Sequence, residues 1–279
     1  MADRVFFRTA TVCVCLLTLL GAAACNEESG VRVSSMTFNG VKAIKASQLK
    51  SVLATGASSK LPWGEKRYFN REQFQADLKR IVAFYHDRGF PDARISSFDA
   101  KLSPDQSSIA ITLNISEGEP VIAERIDFQG FEPLPADHFK ALMARLPLKA
   151  GQPLDRALLQ ATRESALDEL KDHGYPYATV RLAEEPGSAE RKQVLKVTAE
   201  PGAIAHHGPL EIQGNSSVSD QIIRRQLSFR RGDLFRQSKL LESQRRLYSL
   251  EVFQFANVQP VREESIVASF EGRTGPKAI

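Results

Sequence analysis

Apolar and polar residues alternate through Met36-Thr37-Phe38-Asn39-Gly40, and the pattern returns at Ile126-Asp127-Phe128-Gln129-Gly130 and Leu210-Glu211-Ile212-Gln213-Gly214. Alternation with a period of two marks a half-buried strand, and the glycine marks the turn that ends it. The three glycines lie 90 and 84 residues apart. That is too long a period for a solenoid, so the pattern predicts autonomous modules in a row.

The same elements follow each strand in the same order. A short helix is expected over Ala46–Leu53, Ala136–Leu146 and Ser219–Leu227, the last opened by Ser219 as N-cap. A longer amphipathic helix comes next. Its apolar face is Phe74, Leu78, Ile81, Val82 and Tyr85 in the first copy, and Leu158, Leu159, Thr162, Ala166 and Leu170 in the second. In the third copy it is Leu240, Leu241, Gln244, Leu247 and Tyr248. Asn70 with Gln73 reads as a capping box.

Two of these helices run into Gly89-Phe90-Pro91 and Gly174-Tyr175-Pro176. Glycine takes the left-handed cap, the aromatic ring folds back on the last turn, and proline forbids continuation. Two more strands close each copy: Ala93–Leu102 and Ser108–Ile115, Tyr177–Ala183 and Gln193–Ala199, Ala256–Val261 and Ser265–Phe270.

Each copy is thus strand, helix, helix, strand, strand. The predicted fold class is α+β, with three tandem modules, each a small mixed three-stranded sheet covered by two helices. Turns at Glu117-Gly118 and Pro201-Gly202 place the modules at 31–118, 119–202 and 203–272, joined by linkers of a few residues.

Residues 1–24 have the layout of an export signal: Arg4 and Arg8, then an apolar run from Val12 to Ala24 that falls short of the roughly 20 residues of a spanning helix. Ala22-Ala23-Ala24 before Cys25 satisfies the small-residue rule for cleavage and also resembles a bacterial lipobox. Cys25 is therefore a lipidation candidate, the alternative being a free amino-terminal thiol. With Cys13 and Cys15 inside the leader, the exported part has no pair for a disulfide and must be held by its cores. A composition of 42% hydrophobic and 25% charged residues is ordinary for globular domains, and a net charge of +4 is too mild to argue for nucleic acid.

The order of elements, the Phe-x-Gly strand end and the Gly-aromatic-Pro helix stop resemble POTRA domains. These are the periplasmic polypeptide-transport-associated modules of outer-membrane barrel assembly and translocation proteins of the BamA and TamA type. The resemblance spans about residues 31–272. Leu247-Tyr248-Ser249-Leu250-Glu251-Val252-Phe253, followed by Val258, is similar to the last such domain before a barrel. The family commonly carries glycine where Glu251 stands, a departure that bears on this helix stop. Such proteins continue into a 16-stranded barrel, on the order of 160 residues at about 10 per strand, whereas nine residues follow Phe270. The chain is expected to be either a truncated product of a longer ancestor or a POTRA protein that works without its barrel.

The resemblance implies a non-catalytic, periplasmic, outer-membrane-associated protein with no cofactor. Its implied partners are unfolded outer-membrane or translocated polypeptides, and envelope assembly proteins or a membrane barrel. It also implies that the second strand of each module forms a sheet edge. Unpaired edge N–H and C=O groups can accept an extended segment. The edge candidates are Arg94, Ile95, Ser96, Ser97 and Phe98; Thr179, Val180 and Arg181; Asn257 and Val258. A structural spacer between a lipid-anchored terminus and an envelope complex is the alternative.

Arg224, Arg225, Arg230, Arg231, Arg236, Lys239, Arg245 and Arg246 form a basic run against only Asp220, Asp233 and Glu242. It reads either as a solvated helix face or as a contact for an anionic membrane surface or an acidic partner. The sequence shows no catalytic constellation and no metal-binding histidine spacing. His206-His207 is the best metal candidate, but adjacent histidines point in opposite directions on a strand, so the pair reads as a solvated linker, and His86 and His173 read as cations at helix ends. Glu184-Glu185 reads as a turn, and Trp63, in a loop, as a core or staple residue, the alternative being an exposed contact.

Overall fold

In the computed structural model, residues 30–61, 63–216 and 218–260 are described, with the backbone of Ile266–Gly272. Residues 1–24, expected from the sequence to be an export signal, and Cys25 lie outside the described residues. The element order is β1 (Arg32–Asn39), α1 (Ala46–Val52), α2 (Arg71–Asp87), β2 (Arg94–Leu102) and β3 (Ser108–Ser116), followed by β4 (Ile122–Gln129), α3 (Ala136–Arg145), α4 (Arg156–Asp172), β5 (Thr179–Pro186) and β6 (Lys192–Glu200). The last set is β7 (Leu210–Gln213), α5 (Asp220–Gln226), α6 (Gln237–Tyr248), β8 (Phe253–Pro260) and β9 (Ile266–Gly272). The chain divides into two compact units, one of Met1–Arg80 with Ile95–Ile115 and one of Ile81–Arg94 with Ser116–Ile279.

Three mixed three-stranded sheets result, ordered β1-β3-β2, β4-β6-β5 and β7-β9-β8. The last strand of each set takes the centre, pairing parallel with the first strand. It pairs antiparallel with the middle strand in the second and third sheets. The centre is the most buried place, and the chain puts its cleanest alternation there: Ile109, Ile111, Leu113 and Ile115 of β3 are all buried.

The Phe-x-Gly ends have a steric cause. Gly40 and Gly130 have φ of 79° and 82°. A Cβ on either would collide with a carbonyl oxygen of the central strand, Ile115 and Ala199 respectively, so the turn needs glycine for both its conformation and its close approach.

Leu142, Leu148, Leu170, Leu195 and Val197 have no exposed surface in the second core. Burying a leucine stabilises by roughly 1.5–3 kcal/mol. The third core gathers Ile223, Phe229, Phe235, Leu240, Leu247, Phe253, Ala256 and Val258.

One buried polar residue recurs on the long helices. Asp77 of α2 accepts the backbone N–H groups of Ala54 and Thr55 at 3.1 and 2.6 Å. Thr162 of α4 accepts that of Leu148 at 3.1 Å, and Ser243 of α6 that of Ser228 at 2.8 Å. In each case the donor lies on the loop after the short helix, where it would otherwise be left without a partner.

The long helices end as their sequences predict for the first two and by an unexpected route for the third. Gly89 and Gly174 have φ of 86° and 97°. Phe90 N donates to Tyr85 O at 3.0 Å and Tyr175 N to Leu170 O at 3.2 Å, closing the last turn. Phe90 also packs edge-on against Tyr85, with ring centroids 6.0 Å apart. In the third set Glu251 itself takes the left-handed conformation, at φ 55°, and its N donates to Tyr248 O at 3.1 Å, so the left-handed turn is kept without glycine. Asn70 caps α2 by accepting Gln73 N at 2.9 Å. Ser219 makes no such bond, contrary to the expectation for α5. Glu184-Glu185 lies within β5 and not in a turn, because antiparallel pairing with β6 continues to Pro186.

Candidate functional site

Each sheet has one edge formed by its middle strand, and this is where the edge candidates lie. Arg94, Ile95, Ser96, Ser97 and Phe98 are on β2, Thr179, Val180 and Arg181 on β5, and Asn257 and Val258 on β8. β2, β5 and β8 each have one strand neighbour and none on the outer side among the described residues.

The opposite edge is partly closed by its own chain at the point where each first strand begins. Val33 N donates to Arg67 O at 2.9 Å and Phe69 N to Val31 O at 2.8 Å. Ala123 N reaches Gln152 O at 2.9 Å and Leu154 N reaches Val121 O at 2.9 Å. His207 N reaches Asp233 O at 2.8 Å and Phe235 N reaches Ala205 O at 3.0 Å. Among the described residues, three copies of one arrangement thus leave the middle-strand edge without a strand neighbour on its outer side.

The side chains at these edges differ. On β2, Phe98 is 53% exposed while touching Phe74 edge-on at 5.4 Å, and Leu102, also exposed, is on the same face of the strand. Ser97 accepts a hydrogen bond from Asn114 at 2.9 Å. Beside β5, Leu159, Val180 and Leu182 line an open groove of about 690 Å³ whose other walls include Arg156, Arg163, Arg181 and Glu184. Arg163 Nε is buried there without a hydrogen-bond partner. Arg181 also lies 3.6 Å from Glu200. On β8, Val258 is buried and Asn257 donates to Gln259 at 3.0 Å.

A second repeated feature is the joint that follows each of the first two long helices. Gly89 O accepts Val121 N at 2.8 Å, and Gly174 O accepts Ala205 N at 2.8 Å. Asp87 at the end of α2 meets Arg156 at 3.1 Å, while Asp172 at the end of α4 accepts Ser238 N at 2.6 Å. At the first joint Arg88 also meets Asp155 at 3.0 Å, and Arg191 holds both Asp92 and, at 3.3 Å, the carbonyl of Glu119. Nearby, the buried Tyr85 hydroxyl donates to Glu117 at 2.9 Å. Burial, with that acceptor second, pushes the phenol well above its usual range.

The basic run is divided among α5, the following loop and α6. Lys239 and Arg246 both pair with Glu242, and these partners, Lys239 first, hold the Glu242 carboxyl below its ordinary range. Arg224, Arg225, Arg230, Arg231, Arg236 and Arg245 are exposed.

Three expectations from the sequence need correction. His207 is not a solvated linker residue. It occupies the position of Val33 and Ala123, is 3% exposed, and stacks on Phe229 at 4.1 Å. Trp63 is 82% exposed rather than packed. Histidines also come together with a carboxylate: His138 of α3 meets Glu169 and His173 of α4. The Glu169-x-x-x-His173 spacing on one helix face was the available signal, but its third member comes from another helix.

The POTRA family model, described as "Surface antigen variable number repeat", matches residues 31–118, 121–200 and 206–271. Among curated relatives, an outer membrane protein assembly factor of Treponema pallidum (strain Nichols) is 26% identical over 241 residues, 84% of this chain and 28% of that protein. Outer membrane protein assembly factor BamA of Neisseria meningitidis serogroup B is 22% identical over 236 residues, 84% of this chain and 29% of its own. The chain spans less than a third of the length of these relatives. The crystal structure of Haemophilus influenzae BamA POTRA3-5 superposes with a TM-score of 0.53 at 18% identity, covering 90% of this chain and all of that one. That likeness is one of fold.

Proposed function

The chain belongs to the POTRA family, and from that premise we propose that it is a periplasmic, outer-membrane-associated component of outer-membrane protein assembly or translocation that binds polypeptides without catalysis. It captures extended segments of unfolded outer-membrane or translocated proteins, or of assembly partners, by strand addition at β2, β5 and β8. The observation that carries this reading is the repeated asymmetry of the sheets. One edge begins bonded to its own loop, while the other has no strand neighbour on its outer side among the described residues. Main-chain pairing tolerates many sequences, as a receiver of diverse precursors requires. The names of the assembly-factor relatives supply the class of client.

A photo-crosslinking residue at Ser96 or Arg181, in cells of the source organism, tests it. Capture of many nascent outer-membrane proteins is expected there, with little at Arg32, where the opposite edge is bonded to its own loop. Ser96→Pro, which deletes one main-chain donor, should weaken capture with the fold intact. Cross-links confined to one fixed partner at every site would instead favour the spacer, which the bonded joints also suit.

A further inference from the structure

We propose that His138, Glu169 and His173 form a binding site for a divalent transition-metal ion, with zinc as the fitting probe, which staples α3 to α4 within the second module. This site stands apart from client capture. His138 Nδ1 and His173 Nδ1 each lie 3.4 Å from the same oxygen, Glu169 Oε1. All three ligand atoms fall within 4.8 Å of one another. A tetrahedral zinc with bonds of about 2.0–2.1 Å separates its ligand atoms by about 3.3–3.4 Å. The two distances to Glu169 thus already match the edges of that tetrahedron.

The donor set points the same way. Two imidazoles and one carboxylate, with a fourth position left to water, is a composition that zinc takes in open sites. Glu169 is 5% exposed, so its charge is not a solvated surface group. Arg145 of α3 engages the other oxygen, Oε2, which orients the carboxylate and directs Oε1 at the two rings. His138 has about half of its side chain exposed and provides a way in for the ion.

His173 Nδ1 also lies 2.7 Å from the Glu169 carbonyl oxygen. In the tautomer protonated at Nδ1 it donates there. With the proton on Nε2 the Nδ1 lone pair is free for the ion, at the expense of that hydrogen bond. Two helices that otherwise meet through side-chain packing and the Arg145–Glu169 ion pair would then share three coordinate bonds.

Titration of the full chain, carrying no polyhistidine tag, with cobalt(II) and then zinc tests the site. Cobalt should give the visible absorption of a tetrahedral centre, and one equivalent of zinc should remove it. His138→Ala should lower zinc affinity by at least ~10-fold, since even the loss of an outer-shell partner costs 10- to 100-fold. His86→Ala, at an exposed histidine outside the cluster, should leave it unchanged. Far-ultraviolet circular dichroism establishes that each variant is folded. No tetrahedral cobalt spectrum, or equal zinc affinity in wild type and His138→Ala, overturns the proposal. So does a loss in His86→Ala as large as in His138→Ala.

Discussion

The guanidinium of Arg88 lies 3.0 Å from the carboxylate of Asp155, joining the residue that follows α2 to the one that caps α4. Asp155 accepts the N–H groups of Ala157 and Leu158 at 2.7 and 3.3 Å, so one side chain opens a helix and fastens the joint before it. Asp155→Ala should cost roughly 1–2 kcal/mol, mostly the cap. Arg88→Ala, at a partly exposed ion pair, should cost under about 1 kcal/mol. Asp155→Asn, which keeps the cap, should recover most of the loss. Urea unfolding of the three variants gives the ranking, and a larger loss in Arg88→Ala would reverse the assignment.

Two substitutions of opposite sign test the left-handed positions. Gly130→Ala puts a methyl against the Ala199 carbonyl at φ 82° and should destabilise by more than the ~1–2 kcal/mol of left-handed backbone alone. Glu251→Gly relieves the same conformation where glycine is absent, and should stabilise by up to about 1 kcal/mol. Thermal midpoints that move in the same direction would be inconsistent with this reading.

Thr162→Val is close to isosteric, but it deprives Leu148 N of its acceptor in a fully buried place. A loss of roughly 1–3 kcal/mol is expected for that unmet donor. Thr162→Ser, which retains the hydroxyl, should lose less, and denaturant melts of the pair separate hydrogen bonding from packing.

Burial holds the His207 imidazole below its ordinary range, outweighing the opposite pull of Asp233, while His206 adds to the lowering. Both ring nitrogens lack hydrogen-bond partners. The folded protein therefore favours the neutral ring. Stability is fully present above the unfolded histidine value of about 6.5 and is lost as pH falls through it towards the lower folded value. His207→Phe keeps the stack on Phe229 and removes the titrating group. Its stability should fall less than that of wild type between pH 7 and pH 5, measured by urea titration at each pH.

Periodicity makes the module legible because each strand and helix buries one face, and the Phe-x-Gly and Gly-aromatic-Pro sequences are demanded by local backbone geometry. The misplaced residues depend on contacts distant in sequence. Helical spacing puts Gln244 on the apolar face of α6, whereas Ser243 is the buried residue, because a hydroxyl is needed for Ser228 N. Nothing beside His207 in the sequence signals its burial, since the rings that cover it, Phe229 and Phe235, lie beyond the next strand and helix. The edge strands follow from the family pattern. The groove beside β5 depends on how α4 lies against that strand, and the approach of His138 to Glu169 on how two helices pack, neither of which spacing along one helix encodes.

The two joints use interchangeable parts: a helix-ending glycine carbonyl receives the amide that opens the next module, Val121 in one case and Ala205 in the other. A chain built this way can be shortened or lengthened by whole modules while every seam finds a matching donor and acceptor. Joining Gly89 to the stretch that begins at Ala205 would present the same carbonyl to the same kind of amide. Changes in module number then require no new junction chemistry, and selection can act on what each added module presents to its surroundings.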